Sequence, residues 1–138
     1  MSDKERVLIL CTGNSARSQM AEGLLRELHG DKFEVHSAGV DPSIVKPEAI
    51  EVMNEIGIDI SGHTSKSADI FAGQEFDHII TACDNAKEQC PYFPGSAKRI
   101  HRTFEDTASA SGTYDDRVAA FRRVRDQISE YLRGFPGE

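Results

Sequence analysis

Long hydrophobic runs are absent from the sequence. A membrane-spanning helix needs about 20 consecutive apolar residues, whereas the apolar runs here extend over only a few residues. The polar start, MSDKER, is not followed by the long apolar segment and small-residue cleavage site of a signal peptide. We therefore expect a cytoplasmic protein with no membrane partner.

The chain contains fewer basic than acidic residues. The chain of 138 residues has 16 Lys and Arg against 23 Asp and Glu, which gives a formal net charge of −7. Its densest basic group, residues 117–125, is flanked by Asp115, Asp116 and Asp126. Proteins that bind duplex nucleic acid normally have a basic face, so we interpret this group as a solvated helix face and expect no nucleic-acid partner.

Cysteine is also scarce, with three residues in the chain. An odd number cannot close into a complete set of disulfides, and cytoplasmic thiols are normally reduced. The sequence therefore predicts three thiols rather than a disulfide framework.

The sequence does contain short apolar runs that alternate with helical repeats. Strands are predicted at residues 6–10, 33–37, 78–82 and 98–101, and helices at 18–29, 47–56 and 114–133, with a short helix after Ser67. Leu28 and Ile56 are placed on the apolar faces of the first two helices. This alternation predicts one α/β domain over residues 1–138, with a parallel sheet covered on both faces.

A candidate oxyanion site lies between the first predicted strand and the first predicted helix. Cys11 and Arg17 are separated by five residues, and Ser18 follows. A loop in this position can turn successive backbone N–H groups toward an anion, and the helix N-terminus adds a positive field. The predicted oxyanion-binding residues are Thr12, Gly13, Asn14, Ser15, Ala16, Arg17 and Ser18.

The residue types in this loop suit nucleophilic chemistry. The positive field favours the thiolate of Cys11, and Arg17 can hold two oxygens of a tetrahedral anion. Ser18 can donate a hydrogen bond to the thiolate, while Gly13 permits a tight turn and Asn14 tolerates the left-handed conformation. The alternative interpretation is a buried structural cysteine near an unrelated arginine.

The segment CTGNSARSQMAEG resembles the phosphate-binding loop of the low-molecular-weight protein tyrosine phosphatase superfamily. Within it, the sequence is more similar to the arsenate reductases that thioredoxin recycles. Further matches occur at residues 37–39, 59–61, 63–65, 83, 90–91 and 121–125. The resemblance implies four parallel strands in flavodoxin-like order with helices on both faces, and arsenate as substrate, with phosphate and sulfate as analogues.

Two further cysteines distinguish a reductase from a phosphatase. Cys83 follows the strand predicted at 78–82, at the same sheet edge as Cys11. Cys90 lies seven residues on, about 10 Å along a helix, whereas a disulfide needs Cα atoms within roughly 7 Å. The pair can form only if the polar segment between them unwinds. The alternatives are two unrelated thiols or a metal site, although two cysteines without nearby histidines fall short of four ligands.

The resemblance implies a relay through all three thiols. Cys11 attacks arsenate, Cys83 attacks the sulfur of Cys11 and releases arsenite, and Cys90 then attacks Cys83. Thioredoxin or a similar dithiol protein reduces the resulting Cys83–Cys90 disulfide. A phosphatase would need Cys11 alone.

The resemblance also places a general acid at Asp106. A carboxylic acid there would protonate the leaving oxygen. The family has Pro after this residue, where this chain has Thr107, and Glu105 is the alternative acid. An exposed loop carboxylate without a catalytic role is the other interpretation. No aromatic residue follows Asp106 or the second strand closely, so no slot for an aryl phosphate is predicted.

Some similar reductases bind potassium through an Asn, a Glu, a Ser and an Asp. Asn14, Glu22 and Ser37 match, and Lys66 replaces the Asp, so we expect its ammonium in the cation's place. The combined expectation is a monomeric, cytoplasmic arsenate reductase with no metal or organic cofactor. Its rivals are a small phosphatase on the same fold and a non-enzymatic phosphocarrier or redox-sensing module.

Overall fold

The computed structural model describes residues 4–11, 14, 16–40, 43–81, 97–102, 104 and 112–135. Several residues singled out by the sequence lie outside these ranges. They are Thr12, Gly13, Ser15, Cys83, Cys90, Glu105, Asp106 and Thr107.

Four parallel strands form the sheet. They are β1 (Glu5–Cys11), β2 (Phe33–Gly39), β3 (His78–Thr81) and β4 (Lys98–His101), in the order β2-β1-β3-β4. Residues 7–10 of β1 are all at most 1% exposed. Since successive side chains of a strand point to opposite faces, both faces of β1 are covered. The predicted parallel sheet in flavodoxin-like order is confirmed.

Three α-helices accompany the sheet within the described ranges. They are α1 (Arg17–His29), α2 (Pro47–Asn54) and α3 (Tyr114–Arg133), and a 3₁₀-helix spans Ala68–Phe71. α3 begins at a capping box in which Thr113 and Asp116 exchange side-chain-to-backbone hydrogen bonds. α1 and α2 both pack against α3. None of the described helices is long and apolar enough to cross a membrane.

The second helix is shorter than the sequence predicts. The chain leaves α2 after Asn54 and turns through Gly57, whose φ of +81° suits glycine. Ile56 therefore lies in the turn, 44% exposed, and not on a buried helix face. Leu28, near the end of α1, is 37% exposed. The prediction that Ile56 belongs to the second helix was wrong, and neither residue is buried although both were placed on apolar faces.

A glycine in α1 allows its neighbours to approach closely. A Cβ atom at Gly23 would lie 2.9 Å from Ile60 Cγ2, 3.2 Å from Met53 Cε and 3.3 Å from Ile58 Cγ2. Because Ile60 and Met53 are fully buried, this contact fixes the separation between α1 and the segment after α2.

The carboxyl ends of β1 and β2 meet at one edge of the sheet. Cys11 is paired with Gly39, and Val40 N donates to Cys11 O at 3.2 Å. Gly39 N donates to Lys66 O at 2.8 Å, which brings the segment before the 3₁₀-helix to the same edge. Cys11 therefore lies at the sheet edge that also contains Gly39 and contacts Lys66.

Candidate active site

Cys11 is the last residue of β1 and only 4% of its surface is exposed. α1 begins at Arg17, and its first turn contains no acidic residue. The N-terminus of a helix carries a partial positive charge and unpaired N–H groups. Cys11 and the start of α1 are separated by five residues in the sequence, and this helix end suits an anion.

A backbone carbonyl just after β4 holds the Arg17 side chain. Its Nη1 donates to Phe104 O at 3.3 Å, and the residue is 9% exposed. The Phe104 ring packs edge-on against Tyr131 of α3, with 6.0 Å between centroids, and the Arg102 guanidinium lies 5.2 Å from the Phe104 centroid. The two rings thus fix the carbonyl that orients the Arg17 side chain.

Asn14 has the left-handed conformation that its residue type tolerates, with φ +47° and no exposed surface. Its Nδ2 donates to Ser18 Oγ at 2.8 Å and to Ser37 Oγ at 3.0 Å. Its Oδ1 accepts from Lys66 N at 2.8 Å. Asn14 therefore connects the loop to α1, β2 and the segment before the 3₁₀-helix.

The hydrogen bonds continue to a buried carboxylate. Ser37 Oγ donates to Glu22 Oε1 at 2.5 Å, and Arg26 Nη2 donates to Glu22 Oε2 at 2.7 Å. Arg26 Nη2 also donates to Val35 O at 2.8 Å. The negative charge of Glu22 is thus compensated within the protein, since Arg26 lies one turn along the same helix.

The side chains of this set are paired with other protein groups. Both carboxylate oxygens of Glu22 and the Oδ1 of Asn14 already accept hydrogen bonds. Lys66 Nζ donates to Thr64 O at 2.8 Å, and the cation that contacts Glu22 is Arg26. The expectation that Lys66 takes the cation's place is corrected accordingly. Within the described residues no group of three or more Cys, His, Asp or Glu is arranged to hold a metal ion.

The sequence did not single out Gln19 or Arg26. Gln19 is fully buried, and a buried amide needs hydrogen-bond partners. The spacing of Glu22 and Arg26 by four residues was a readable signal for their ion pair, whereas two partners of Gln19, Thr64 and His63, lie 45 and 44 residues away in the sequence. One partner of the Gln19 side chain is His63.

Of the predicted oxyanion-binding residues, Asn14, Ala16, Arg17 and Ser18 are described, and all four are buried. Thr12, Gly13 and Ser15 lie outside the described residues, as do Cys83, Cys90 and Asp106. β3 ends at Thr81, which is paired with Leu10, the residue before Cys11. Phe104 lies next to Glu105 in the chain and contacts Arg17.

Comparison with known proteins places this arrangement in a family. The family model for the low molecular weight phosphotyrosine protein phosphatase matches residues 6–137. The chain belongs to this family. The expected membership, based on the CTGNSARSQMAEG segment, is confirmed.

Relatives within this phosphatase family include reductases. An arsenate reductase of Halalkalibacterium halodurans is 44% identical, over 96% of this chain and 96% of its own. An arsenate reductase of Bacillus subtilis is 43% identical, over 94% and 93%. A solved arsenate reductase in the phosphate binding state is 33% identical with a TM-score of 0.74, covering 94% of this chain and 95% of its own.

Proposed function

We propose that this protein reduces arsenate to arsenite with Cys11 as nucleophile. The observation that carries the proposal is the burial of Cys11 at the end of β1, beside a helix that begins with the buried Arg17. The choice of arsenate follows the similarity to proteins named arsenate reductase. The sequence also provides two further thiols, Cys83 and Cys90.

The first step forms a thiol–arsenate adduct. The Cys11 thiolate attacks arsenic, an S–As bond forms, and an oxygen leaves as water after protonation by Asp106, or by Glu105 in its place. The loop N–H groups and Arg17 hold the remaining oxygens. Ser18 Oγ accepts from Asn14, so its own proton is left to donate to the thiolate.

The second step transfers two electrons. The Cys83 thiolate attacks the Cys11 sulfur, the S–As bond breaks, and its electron pair reduces arsenic from the +5 to the +3 state. Arsenite leaves and a Cys11–Cys83 disulfide remains. Cys90 then attacks Cys83, which restores the Cys11 thiolate and moves the disulfide outward. Thr81 is paired with Leu10, the residue before Cys11, and this supports the route. Cys83 is two residues after Thr81 in the chain, and two residues extend at most about 7 Å.

An external dithiol closes the cycle. Thioredoxin, or another protein with two thiols, attacks the Cys83–Cys90 disulfide and leaves as a disulfide itself. The relay requires reduced cysteines at rest, which is consistent with the predicted cytoplasmic location. We expect the chain to act as a monomer.

A small phosphatase is the second candidate. The match to the phosphatase family favours it, and a phosphocysteine at Cys11 would be hydrolysed by water without further thiols. The absence of aromatic residues close after β2 and after Asp106 weakens this candidate for aryl phosphates. A phosphocarrier or redox-sensing module would keep the Cys11 adduct without turnover.

One experiment separates these functions. Arsenite release is measured with thioredoxin, thioredoxin reductase and NADPH, and p-nitrophenyl phosphate hydrolysis is measured beside it. A reductase needs Cys83 for arsenite release, so Cys83→Ser ends it. Phosphate-ester turnover that survives Cys83→Ser, with no arsenite release by the wild type, would establish the phosphatase. A stable Cys11 adduct without either turnover would establish the non-enzymatic module.

A further inference from the structure

We propose that Gln19 is a positioning residue that fixes the oxyanion loop, and that His63 orients its amide. The inference rests on the proposed function only in taking the loop after Cys11 as the anion site. It assigns no contact between Gln19 and the substrate.

Gln19 joins the loop to a second segment. The side chain has no exposed surface, and its Nε2 donates to Asn14 O at 3.0 Å and to Thr64 O at 2.9 Å. A primary amide has two N–H donors, and both are used here. Because carbonyl oxygens can only accept, these partners fix which end of the amide carries the nitrogen.

The other end of the amide fixes the tautomer of His63. Gln19 Oε1 lies 3.0 Å from His63 Nδ1. Since Oε1 only accepts, Nδ1 carries the proton. In the neutral ring Nε2 then has a lone pair, and it faces Arg26 Nη1 at 3.4 Å. His63 therefore donates a hydrogen bond from Nδ1 to Gln19, and Arg26 faces the other ring nitrogen of His63.

Burial, more than the surrounding charges, favours the neutral form of His63 and lowers its pKa. Burial lowers the pKa of His63, and Arg26 and Lys66 lower it further, while Glu22 and Asp59 oppose them. Glu22 Oε2 lies 4.0 Å from His63 Nε2. A neutral ring keeps its single proton on Nδ1, which is the arrangement that Gln19 requires.

The carbonyl of Asn14 is the point at which Gln19 controls the loop. A non-glycine residue in the left-handed region is strained and needs contacts that hold it there. The side chain of Asn14 is held by Lys66 N and its carbonyl by Gln19. Gln19 therefore holds the carbonyl of Asn14, and we expect its loss to loosen the loop backbone that carries the proposed N–H donors.

The test measures the anion site without turnover. In a Cys83→Ser/Cys90→Ser background, where Cys11 is the remaining thiol, Gln19→Leu removes all three hydrogen bonds at similar volume. We expect phosphate to bind at least about fivefold more weakly, because the carbonyl of the buried Asn14 loses the donor of Gln19 and the loop loses its tie to Thr64. We also expect a higher pKa for Cys11, measured by thiolate absorbance at 240 nm, because fewer oriented N–H groups face the thiolate.

Substitutions of His63 provide a second readout with a rescue. His63→Asn keeps a donor at the position of Nδ1, whereas His63→Leu removes it. We expect the Asn variant to bind phosphate as the wild type does and the Leu variant to shift toward Gln19→Leu. If Gln19→Leu does not fold, the comparison of His63→Asn with His63→Leu tests the proposal in its place.

The control is Met20→Leu, a buried apolar change beside Gln19 on the same helix. It is expected to lower Tm without changing phosphate affinity or the Cys11 pKa. If Gln19→Leu and His63→Leu behave in that same way, Gln19 is merely structural and the inference is overturned. If the unsubstituted protein binds neither phosphate nor arsenate, the proposed function fails instead, so the two failures are distinguishable.

Discussion

Cys11 derives its proposed reactivity from its position rather than from a neighbouring base. It ends a buried strand, and the helix that follows offers its N-terminus, with Arg17 as its first residue. In the proposed mechanism the loop binds an anion through backbone N–H groups and Arg17, while the thiol alone is the nucleophile. Binding and chemistry therefore depend on different atoms.

Replacing the nucleophile should separate those two properties. We expect Cys11→Ser to abolish arsenite release while phosphate and sulfate still bind, because the hydroxyl is not ionised and the cradle remains. Calorimetry with phosphate, run beside the coupled assay, checks this. Loss of anion binding in Cys11→Ser would show that the thiol supports the loop structurally.

The two outer cysteines should fail at different steps. A Cys90→Ser enzyme is expected to release close to one arsenite per protein and to stop as a Cys11–Cys83 disulfide, because Cys90 acts only after arsenite has left. Cys83→Ser should release none. Quenched single-turnover reactions with mass mapping of disulfides measure both. Sustained turnover by Cys90→Ser with thioredoxin as sole reductant contradicts the three-thiol relay.

The sequence predicted some residues of this site and missed others. The number of residues between interacting partners explains most of the difference. Cys11, Asn14, Arg17 and Ser18 form a local pattern between a strand and a helix, so their spacing could be read directly. The partners of Gln19 include Thr64 O, 45 residues away, and no periodicity reports such a contact. The error at Lys66 has another origin, since its ammonium donates to Thr64 O, two residues away.

At the scale of elements, α2 and α3 are tied together by charge. Arg122 Nε donates to Glu55 Oε1 at 2.9 Å and its Nη2 to Oε2 at 2.5 Å. Arg125, which is buried, donates to the same Oε1 at 2.9 Å and to Val52 O at 2.8 Å. Glu55 is the C-cap of α2, so one carboxylate links the end of that helix to the middle of α3.

This link predicts a loss of stability in acid. The Arg122 guanidinium, followed by Arg125, lowers the pKa of Glu55 from 4.5 to about 2. A lowered pKa in the folded state stabilises it above pH 4.5, and this stabilisation is lost as the pH falls from about 4.5 to about 2. For a partly exposed group we expect up to about 1 kcal/mol after solvent screening.

Thermal unfolding between pH 2 and pH 7 measures the effect. Glu55→Gln should lower Tm at pH 7 and flatten its dependence on pH below 5, and the exposed Glu130→Gln on α3 is the matched control. An acid slope that is unchanged in Glu55→Gln would show that other carboxylates govern acid unfolding.

The elements themselves were largely predictable because their signals are local. The predicted strand at 98–101 and the helix at 114–133 have the bounds that the structure gives to β4 and α3. The end of α2 was misplaced because the apolar spacing continues to Ile56 after the backbone has left the helix. Apolar periodicity reports which residues suit a helix, whereas Gly57 decides where the chain turns.

At the scale of the whole molecule, the proposed cycle requires one segment to change structure. A Cys83–Cys90 disulfide cannot form across two helical turns, so oxidation should loosen any helix in residues 84–89, which lie outside the described residues. We expect those amides to exchange faster in the oxidised than in the reduced protein. Hydrogen exchange on both forms measures this, with α3 as an internal reference that should not change. Identical exchange in the two forms contradicts the relay.

Gly23 has no side chain, so α1 can pack closely against its neighbours, and this packing sets the position of Arg17. α1 carries Arg17 at one end, and its middle rests against Ile60, a β-branched residue that cannot move aside easily. Gly23→Ala should therefore displace the whole helix by a few tenths of an ångström and cost about 1–3 kcal/mol. Chemical denaturation and phosphate titration of this variant test whether both change together. The packing distance at Gly23, about 1.7 turns along α1 from Arg17, would then control the width of the oxyanion site.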